Sequence, residues 1–162
     1  MKKVIFASLI VTLVSVSVFS QATKTHNVNL TINNILELDF GASTQNLDFT
    51  FGSAADFESG KTNAGAAGLQ VRSNKNWTVS VKANTANFAP SVGGDAAIPA
   101  SALSVKRSGL TNIALTTADQ TLTTGAKGGF STNNFLIDYF ANPGYITPAT
   151  YTLGVTFTVT AP

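Results

Sequence analysis

The last strand-like stretch of the chain alternates apolar and polar positions. In YTLGVTFTVT, which begins at Tyr151, the apolar side chains include Val155, Phe157 and Val159, and threonine or glycine stands between them. Successive side chains on a strand point to opposite faces. The pattern therefore predicts a strand with one apolar face and one hydroxyl-bearing face.

A second alternating stretch, HNVNLTINNILELDF, lies near the beginning of the chain. Val28, Leu30 and Ile32 alternate with asparagine and threonine, and residues 36–40 alternate in the same way. Asparagine favours turns, so Asn33-Asn34 predicts a bend or bulge between two short strands. Burial of both apolar faces is expected, either within one sandwich or across two copies of the chain, because an exposed apolar edge strand promotes aggregation.

The middle of the chain contains further short strand candidates separated by turn residues. They are NLDFTF, GLQVRS, NWTVSVKA, SALSVKR, NIALTT, QTLTT and NFLIDYF. Helical periodicity is weak, and a single turn of helix is predicted over residues 53–58. Short strands of this kind, about 7–10 in number, predict an all-β fold, an antiparallel immunoglobulin-like β-sandwich.

Two neighbouring strand candidates supply the predicted core. Leu69 and Val71 occupy one face of GLQVRS, and Trp77, Val79 and Val81 occupy one face of NWTVSVKA. Trp77 is expected to fill the space between the two sheets. The polar SNKN between the two stretches predicts a hairpin.

The first twenty residues have the pattern of a cleaved signal peptide. Residues 1–3 are Met-Lys-Lys, residues 4–19 are apolar and uncharged, and small residues follow from Ser20. The apolar run is short for a membrane span. Cleavage is expected after Ser20 or after Ala22, and the first site is preferred. Removal of residues 1–20 on secretion leaves residues 21–162 as a single domain with no membrane span. The expected location is the periplasm, the cell surface or the extracellular medium.

Removal of the signal peptide also removes the positive charge. Ten Lys and Arg face eight Asp and Glu, and without Lys2 and Lys3 each class has eight members. A neutral chain with scattered charges has no electrostatic surface for nucleic acid. There are no cysteines, so stability must come from burial and hydrogen bonds.

The inventory of catalytic side chains is small. There is no thiol, and the single histidine, His26, has no neighbouring carboxylate that would orient it as a base. Asp138 is the only acid inside an otherwise apolar strand candidate, where an outward-facing structural role is expected. No catalytic residue, cofactor or metal site is predicted, and the chain is not expected to be an enzyme.

Three tyrosines lie close together in the sequence around two prolines. The stretch YFANPGYITPATY contains Tyr139, Tyr145 and Tyr151. They fit half-buried positions at one end of the sandwich, and they also fit a face on which a carbohydrate stacks. The sequence leaves their role open.

The two alternating ends together resemble fimbrial subunits of the alternate chaperone–usher class. In that family each subunit lacks one strand of its sandwich, and the N-terminal segment of the next subunit fills the gap. The resemblance implies that residues 21–33 are a donor or edge strand with Val28, Leu30 and Ile32 inserted into a neighbour. Val155, Phe157 and Val159 would then line the acceptor groove.

NWTVSV and the closing strand are also similar to WxL wall-associated surface domains. Trp77-Thr78-Val79 replaces the W-x-L triplet and has no second copy, so peptidoglycan binding is not carried over. The cysteine pair of classical pilins is absent as well.

Two functions follow as expectations. The first is a non-catalytic structural or adhesion subunit of the bacterial cell surface, pilin-like, that associates with itself or with other surface subunits. The alternative is a monomeric extracellular immunoglobulin-like module that binds a glycan or a protein.

Overall fold

The computed structural model describes residues 20–41, 46–94 and 97–162. The chain divides into residues 1–32 and residues 33–162. Apart from residue 20, the predicted signal peptide lies outside the described residues. The elements in chain order are β1 (Leu36–Asp39), α1 (Ala54–Ser59), β2 (Lys61–Ser73), β3 (Trp77–Ala83), β4 (Ala89–Pro90), a 3₁₀ turn (Ala100–Ala102), β5 (Leu103–Arg107), β6 (Ile113–Ala114), β7 (Gln120–Gly125), β8 (Asn134–Ala141), β9 (Tyr151–Thr152) and β10 (Val155–Thr160).

The strands form two main sheets. The larger sheet has the order β1-β2-β8-β5-β6, the smaller sheet has the order β10-β3-β7, and β4 pairs with β9 in a short ribbon. Every pairing is antiparallel. Apolar side chains of both main sheets meet in one core. The prediction of an antiparallel all-β sandwich is confirmed.

The core is centred on β2, β3 and β8. The five residues predicted inside the sandwich, namely Leu69, Val71, Trp77, Val79 and Val81, are at most 3% exposed. The Trp77 ring stacks on Phe135 of the opposite sheet, with centroids 6.1 Å apart. Its Nε1–H donates to the Ala126 carbonyl at 2.9 Å, so the buried indole has its polar group satisfied.

Gly125 lies opposite Trp77 in the ladder between β3 and β7. A Cβ at Gly125 would stand 2.1 Å from Cζ2 of Trp77, far inside van der Waals contact. A residue without a side chain is therefore needed where the indole crosses β7.

The connection SNKN is not a hairpin, contrary to prediction. β2 belongs to the larger sheet and β3 to the smaller one, so residues 74–76 carry the chain across the core. Val71 and Trp77 must both point into the same interior from opposite sheets. Three extended residues span roughly 10 Å, which is the distance between packed sheets.

β2 begins at Lys61, seven residues before the predicted strand GLQVRS. It pairs with β8 from Lys61 to Gln70, with a bulge between Asn63 and Ala67. The alanines and glycines of this first part of β2 carry little apolar signal, yet the backbone there pairs with β8. The prediction was wrong here because ladder pairing does not require large side chains.

The turn of helix predicted over residues 53–58 is present as α1. Ser53 caps it: its hydroxyl accepts from the Asp56 amide, and the Asp56 side chain accepts from the Ser53 amide. The hydrogen bond from the Gly52 amide is the largest cause of the lowered pKa of Asp56, and Lys61 contributes to the same shift. Within the described residues, no helix has the length and apolarity needed to cross a bilayer.

The predicted strand NLDFTF does not form a ladder. Residues 46–51 have no strand pairing, yet Leu47, Phe49 and Phe51 are half-buried against the core. The alternation therefore reports which side chains are buried, while the backbone remains outside both sheets.

Candidate self-assembly surface

The apolar stripe, which we define as Val28, Leu30 and Ile32, is exposed. Residues 20–32 have no assigned secondary structure and are exposed at every position. The stripe residues are 71%, 86% and 82% exposed, respectively. Of the two expected ways of burying this segment, pairing within the same sandwich is not formed in this structure, because residues 27–32 belong to no ladder. A segment without a ladder partner has nothing to hold it as a strand.

β10 offers a free strand edge. It pairs with β3 on one side, from Val155 opposite Ala83 to Thr160 opposite Thr78. It is the outermost strand of the smaller sheet, so no strand of the described chain pairs with its other side. The row of backbone N–H and C=O groups along that side is available to another extended segment.

The apolar side chains of β10 are incompletely covered. Phe157 lies opposite Val81 and Val159 lies opposite Val79 in the ladder with β3. The two β3 valines are 0% exposed, whereas their β10 partners are only half-buried. The apolar face of the smaller sheet is therefore fully buried at β3 and only partly buried at β10.

The larger sheet ends on the same side of the sandwich. Leu36 and Leu38 of β1 are half-buried against the core, and the Phe40 ring meets Phe157 at 5.8 Å. Two half-covered sheet edges thus face each other. We call the set formed by Leu36, Leu38, Phe40, Val155, Phe157 and Val159 the open seam.

The other outer strands of the two main sheets have features that discourage pairing. β6 is only two residues long. β7 carries a bulge, since Thr121 and Thr123 pair with consecutive β3 residues and Leu122 is skipped. β1 carries the carboxylates Glu37 and Asp39. β10 has none of these devices, being regular, uncharged and six residues long.

The carboxylates of the described residues mostly have structural partners. Glu37 binds Arg72 at 2.8 Å, and Asp119 binds Lys82 at 3.3 Å. Asp39 accepts from the Gln70 amide group at 2.9 Å. No cluster of three or more acidic, histidine or cysteine side chains occurs in the part of the chain that the structure describes. His26 is exposed.

Asp138 fastens the bulge of β2. Its carboxylate accepts from the Ser108 hydroxyl at 2.5 Å and from the Gly65 amide at 2.8 Å. The Ser108 hydrogen bond is the largest cause of the lowered pKa of Asp138, followed by the Gly65 amide, and Lys106 adds to it. Asp138 lies on the outward face of β8, between the buried Ile137 and Tyr139. These contacts give it a structural role.

The three tyrosines do not form one face. Tyr139 is 8% exposed in the core, and burial raises its pKa to about 12. The Tyr151 hydroxyl donates to the Thr147 carbonyl at 2.6 Å. Tyr145 is the most exposed of the three, at 71% of the residue surface.

The sequence pattern does not identify the β1 half of the open seam. The alternation of Leu36, Leu38 and Phe40 predicts a strand, but it does not predict a place in a groove. The signal that identifies them is positional: they follow the apolar stripe after Asn33-Asn34 and continue its alternation.

No protein-family model matches this chain, and no curated protein matches it significantly. The chemistry of the apolar stripe and the open seam is therefore the basis for a functional inference.

Proposed function

We propose that this protein is a secreted, non-catalytic cell-surface subunit that assembles by strand addition. The apolar stripe of one copy pairs with the free edge of β10 in a second copy and covers that copy's open seam. The proposal rests on one observation: the same chain contains an exposed segment of alternating apolar residues, the apolar stripe, and a strand, β10, whose outer edge has no pairing partner in the described chain.

The two surfaces are complementary in pattern. Residues 27–32 alternate asparagine or threonine with branched apolar residues, and β10 alternates threonine with valine or phenylalanine. A segment added to β10 would place its three apolar side chains over the half-buried side of the core. Complete burial of such a side chain stabilises by about 1.5–3 kcal/mol.

Charge does not oppose this pairing. Residues 27–32 and β10 contain no charged side chain. An added strand therefore leaves no carboxylate or ammonium group unpaired in the sheet. Backbone hydrogen bonds give affinity in this mode, and the alternating side chains fix the register.

The proposed location is consistent with the amino-terminal sequence. Residues 1–20 have the composition of a signal peptide, and export would deliver the remaining chain to the periplasm, the cell surface or the medium. There the partner is another copy of this chain or a related surface subunit.

A peptide-binding experiment tests the proposal. A variant lacking residues 21–32 retains the whole unit formed by residues 33–162. The labelled variant is titrated with a peptide of residues 25–34, THNVNLTINN, and followed by amide chemical shifts. We expect the shifts to change along residues 155–160. A peptide carrying Leu30→Asp is the matched control and should leave them unchanged.

Two outcomes contradict strand addition at β10. One is the absence of shift changes with the native peptide at millimolar concentration, together with a strictly monomeric full-length protein. That result would favour the monomeric binding module. The other is a set of shift changes confined to β7, which would place the acceptor edge on the opposite side of the smaller sheet.

A further inference from the structure

A short column of aromatic rings ends in an exposed tyrosine. Phe51 contacts Phe57 with ring centroids 5.6 Å apart, and Phe57 stacks on Tyr145 at 5.3 Å with an interplanar angle of 18°. Tyr145 is nevertheless 71% exposed. One face of its ring is covered by Phe57, and the other face is therefore open to solvent.

The aromatic column is held by a capped helix and a turn. Phe57 belongs to α1, which the reciprocal hydrogen bonds of Ser53 and Asp56 cap. Tyr145 follows Pro143-Gly144, where the Gly144 amide donates to the Asn142 side-chain oxygen at 3.4 Å. The stacking and the turn restrict the Tyr145 ring, so a ligand that contacts it encounters little loss of side-chain freedom.

A carboxylate borders the ring. The Tyr145 hydroxyl donates to Oε1 of Glu58 at 3.4 Å, and Glu58 is exposed. The surface therefore combines a flat apolar face with a hydrogen-bond acceptor and a hydroxyl at its rim. The C–H face of a pyranose ring is apolar and flat, and its equatorial hydroxyls project at the rim, where such groups meet them.

A cationic ligand fits this surface less well. Cages for quaternary ammonium groups use several aromatic faces, whereas the column offers a single open face. The Glu58 carboxylate is hydrogen-bonded to the phenolic hydroxyl at the edge of the Tyr145 ring. At that position it can accept a hydrogen bond from a ligand hydroxyl that lies at the edge of the ring.

We propose that Tyr145, together with Glu58, forms a binding platform for a neutral pyranose residue of a glycan. Phe57 acts as a positioning residue beneath the ring. The platform belongs to residues 33–162 and does not use the open seam, so it is independent of the proposed assembly.

Saturation-transfer NMR on the secreted protein tests this platform, because the method detects binding at millimolar affinity. The probes are the methyl pyranosides of glucose, galactose, mannose and N-acetylglucosamine, with tetramethylammonium as the cationic probe. We expect transfer to the ring C–H protons of at least one pyranoside and none to tetramethylammonium.

Variants locate the binding. Tyr145→Ala should weaken it roughly tenfold, and Tyr145→Phe should retain most of it, because stacking requires the ring and not the hydroxyl. Glu58→Gln should weaken it by a smaller factor. Leu136→Ala, which alters another exposed apolar residue (54% exposed), is the control and should bind like the unaltered protein.

Three results would overturn the proposal. They are no transfer to any of the four sugars, binding that Tyr145→Ala leaves unchanged, and transfer to tetramethylammonium in place of the sugars. Near-unchanged thermal unfolding of Tyr145→Ala is the accompanying check that the variant is folded.

Discussion

Phe40 and Phe157 meet edge to face, with ring centroids 5.8 Å apart and planes inclined by 85°. Phe40 follows β1 at the end of the larger sheet, and Phe157 lies in β10 at the end of the smaller sheet. This contact joins the two sheets at the open seam, where both rings are only partly covered.

The contact predicts an energetic coupling between the two rings. Phe40→Ala and Phe157→Ala should each lower the free energy of unfolding by about 1–3 kcal/mol, less than for a fully buried ring. The loss of unfolding free energy in the double variant should be smaller than the sum of the two single losses by about 0.5–1.5 kcal/mol. Each single variant already removes the contact between the two rings, so the sum counts that contact twice. Urea unfolding of the four proteins measures the coupling, and simple additivity would contradict it.

Leu30→Asp should prevent assembly without unfolding the monomer. Leu30 is 86% exposed in the isolated chain, so the carboxylate has no core to disturb. In the proposed pairing it would be buried against β10, and assembly should weaken by roughly a hundredfold or more. Light scattering and electron microscopy measure assembly, and thermal unfolding measures the fold.

Thr31→Asp is the matched control for this prediction. Thr31 is also exposed, but its side chain lies on the opposite face of an extended segment. Equal loss of assembly in both variants would show that added charge, rather than position on the stripe, is responsible.

Gly125→Ala should destabilise the sandwich through Trp77. The added Cβ would stand 2.1 Å from Cζ2 and 2.4 Å from Cε2 of the indole, so the ring or β7 must shift, at a cost of about 1–3 kcal/mol. Chemical unfolding followed by tryptophan fluorescence reports both the stability and the displaced ring. Gly129→Ala, whose Cβ meets nothing within 4 Å, should change neither.

The hydrogen bonds of Asp138 should make the stability of the fold depend on pH in the acidic range. Its pKa in the folded protein is lowered, first by the Ser108 hydroxyl and then by the Gly65 amide. A lowered pKa means that the carboxylate stabilises the fold fully above its unfolded pKa of about 4. This contribution is lost as the pH falls through the folded pKa. Asp138→Asn should therefore flatten the decline of stability as the pH falls below the unfolded pKa of about 4.

The same variant should cost about 1–3 kcal/mol at neutral pH, because a charged hydrogen-bond acceptor is removed. Ser108→Ala should remove part of the acid dependence. Asp48→Asn, at an exposed carboxylate, is the control, and an acid profile altered equally by Asp48→Asn would contradict the assignment to Asp138.

Tyr139 predicts a second dependence at alkaline pH. Burial raises its pKa in the fold to about 12, whereas the unfolded chain releases the proton near pH 10. The unfolded state is therefore favoured progressively as the pH rises from about 10 to 12. Tyr139→Phe should reduce that fall in the unfolding free energy. Tyr145→Phe, at an exposed residue, is the control and should show the same fall as the unaltered protein. Urea midpoints at pH 9, 10 and 11 make the comparison.

Side-chain alternation predicted the sandwich and its interior because β3 and β8 are buried on one face and partly covered on the other. The alternation of Trp77, Val79 and Val81 is that of a half-buried strand, and all three are in the core. Alternation carries no information on which strand is the neighbour. The SNKN connection therefore resembled a hairpin although the chain crosses between sheets there.

The backbone accounts for the remaining differences. The small residues of the first half of β2 bury little apolar surface. The alternation of apolar and polar residues therefore does not predict their pairing with β8. Residues 46–51 show the opposite case, with alternating burial and no ladder. The sequence indicates Tyr145 as a candidate for stacking, but its stack on Phe57 depends on the spatial approach of two segments far apart in sequence.

β3 occupies the centre of the smaller sheet, yet both of its neighbours, β7 and β10, are synthesised after it. Until these later strands arrive, Val79 and Val81 cannot become enclosed and both edges of β3 have no ladder. Pairing across such long sequence separations is slow, and intermediates of this kind aggregate readily. The order of the strands along the chain therefore predicts a vulnerable period during folding, in which protection of β3 by a chaperone would raise the yield of native protein.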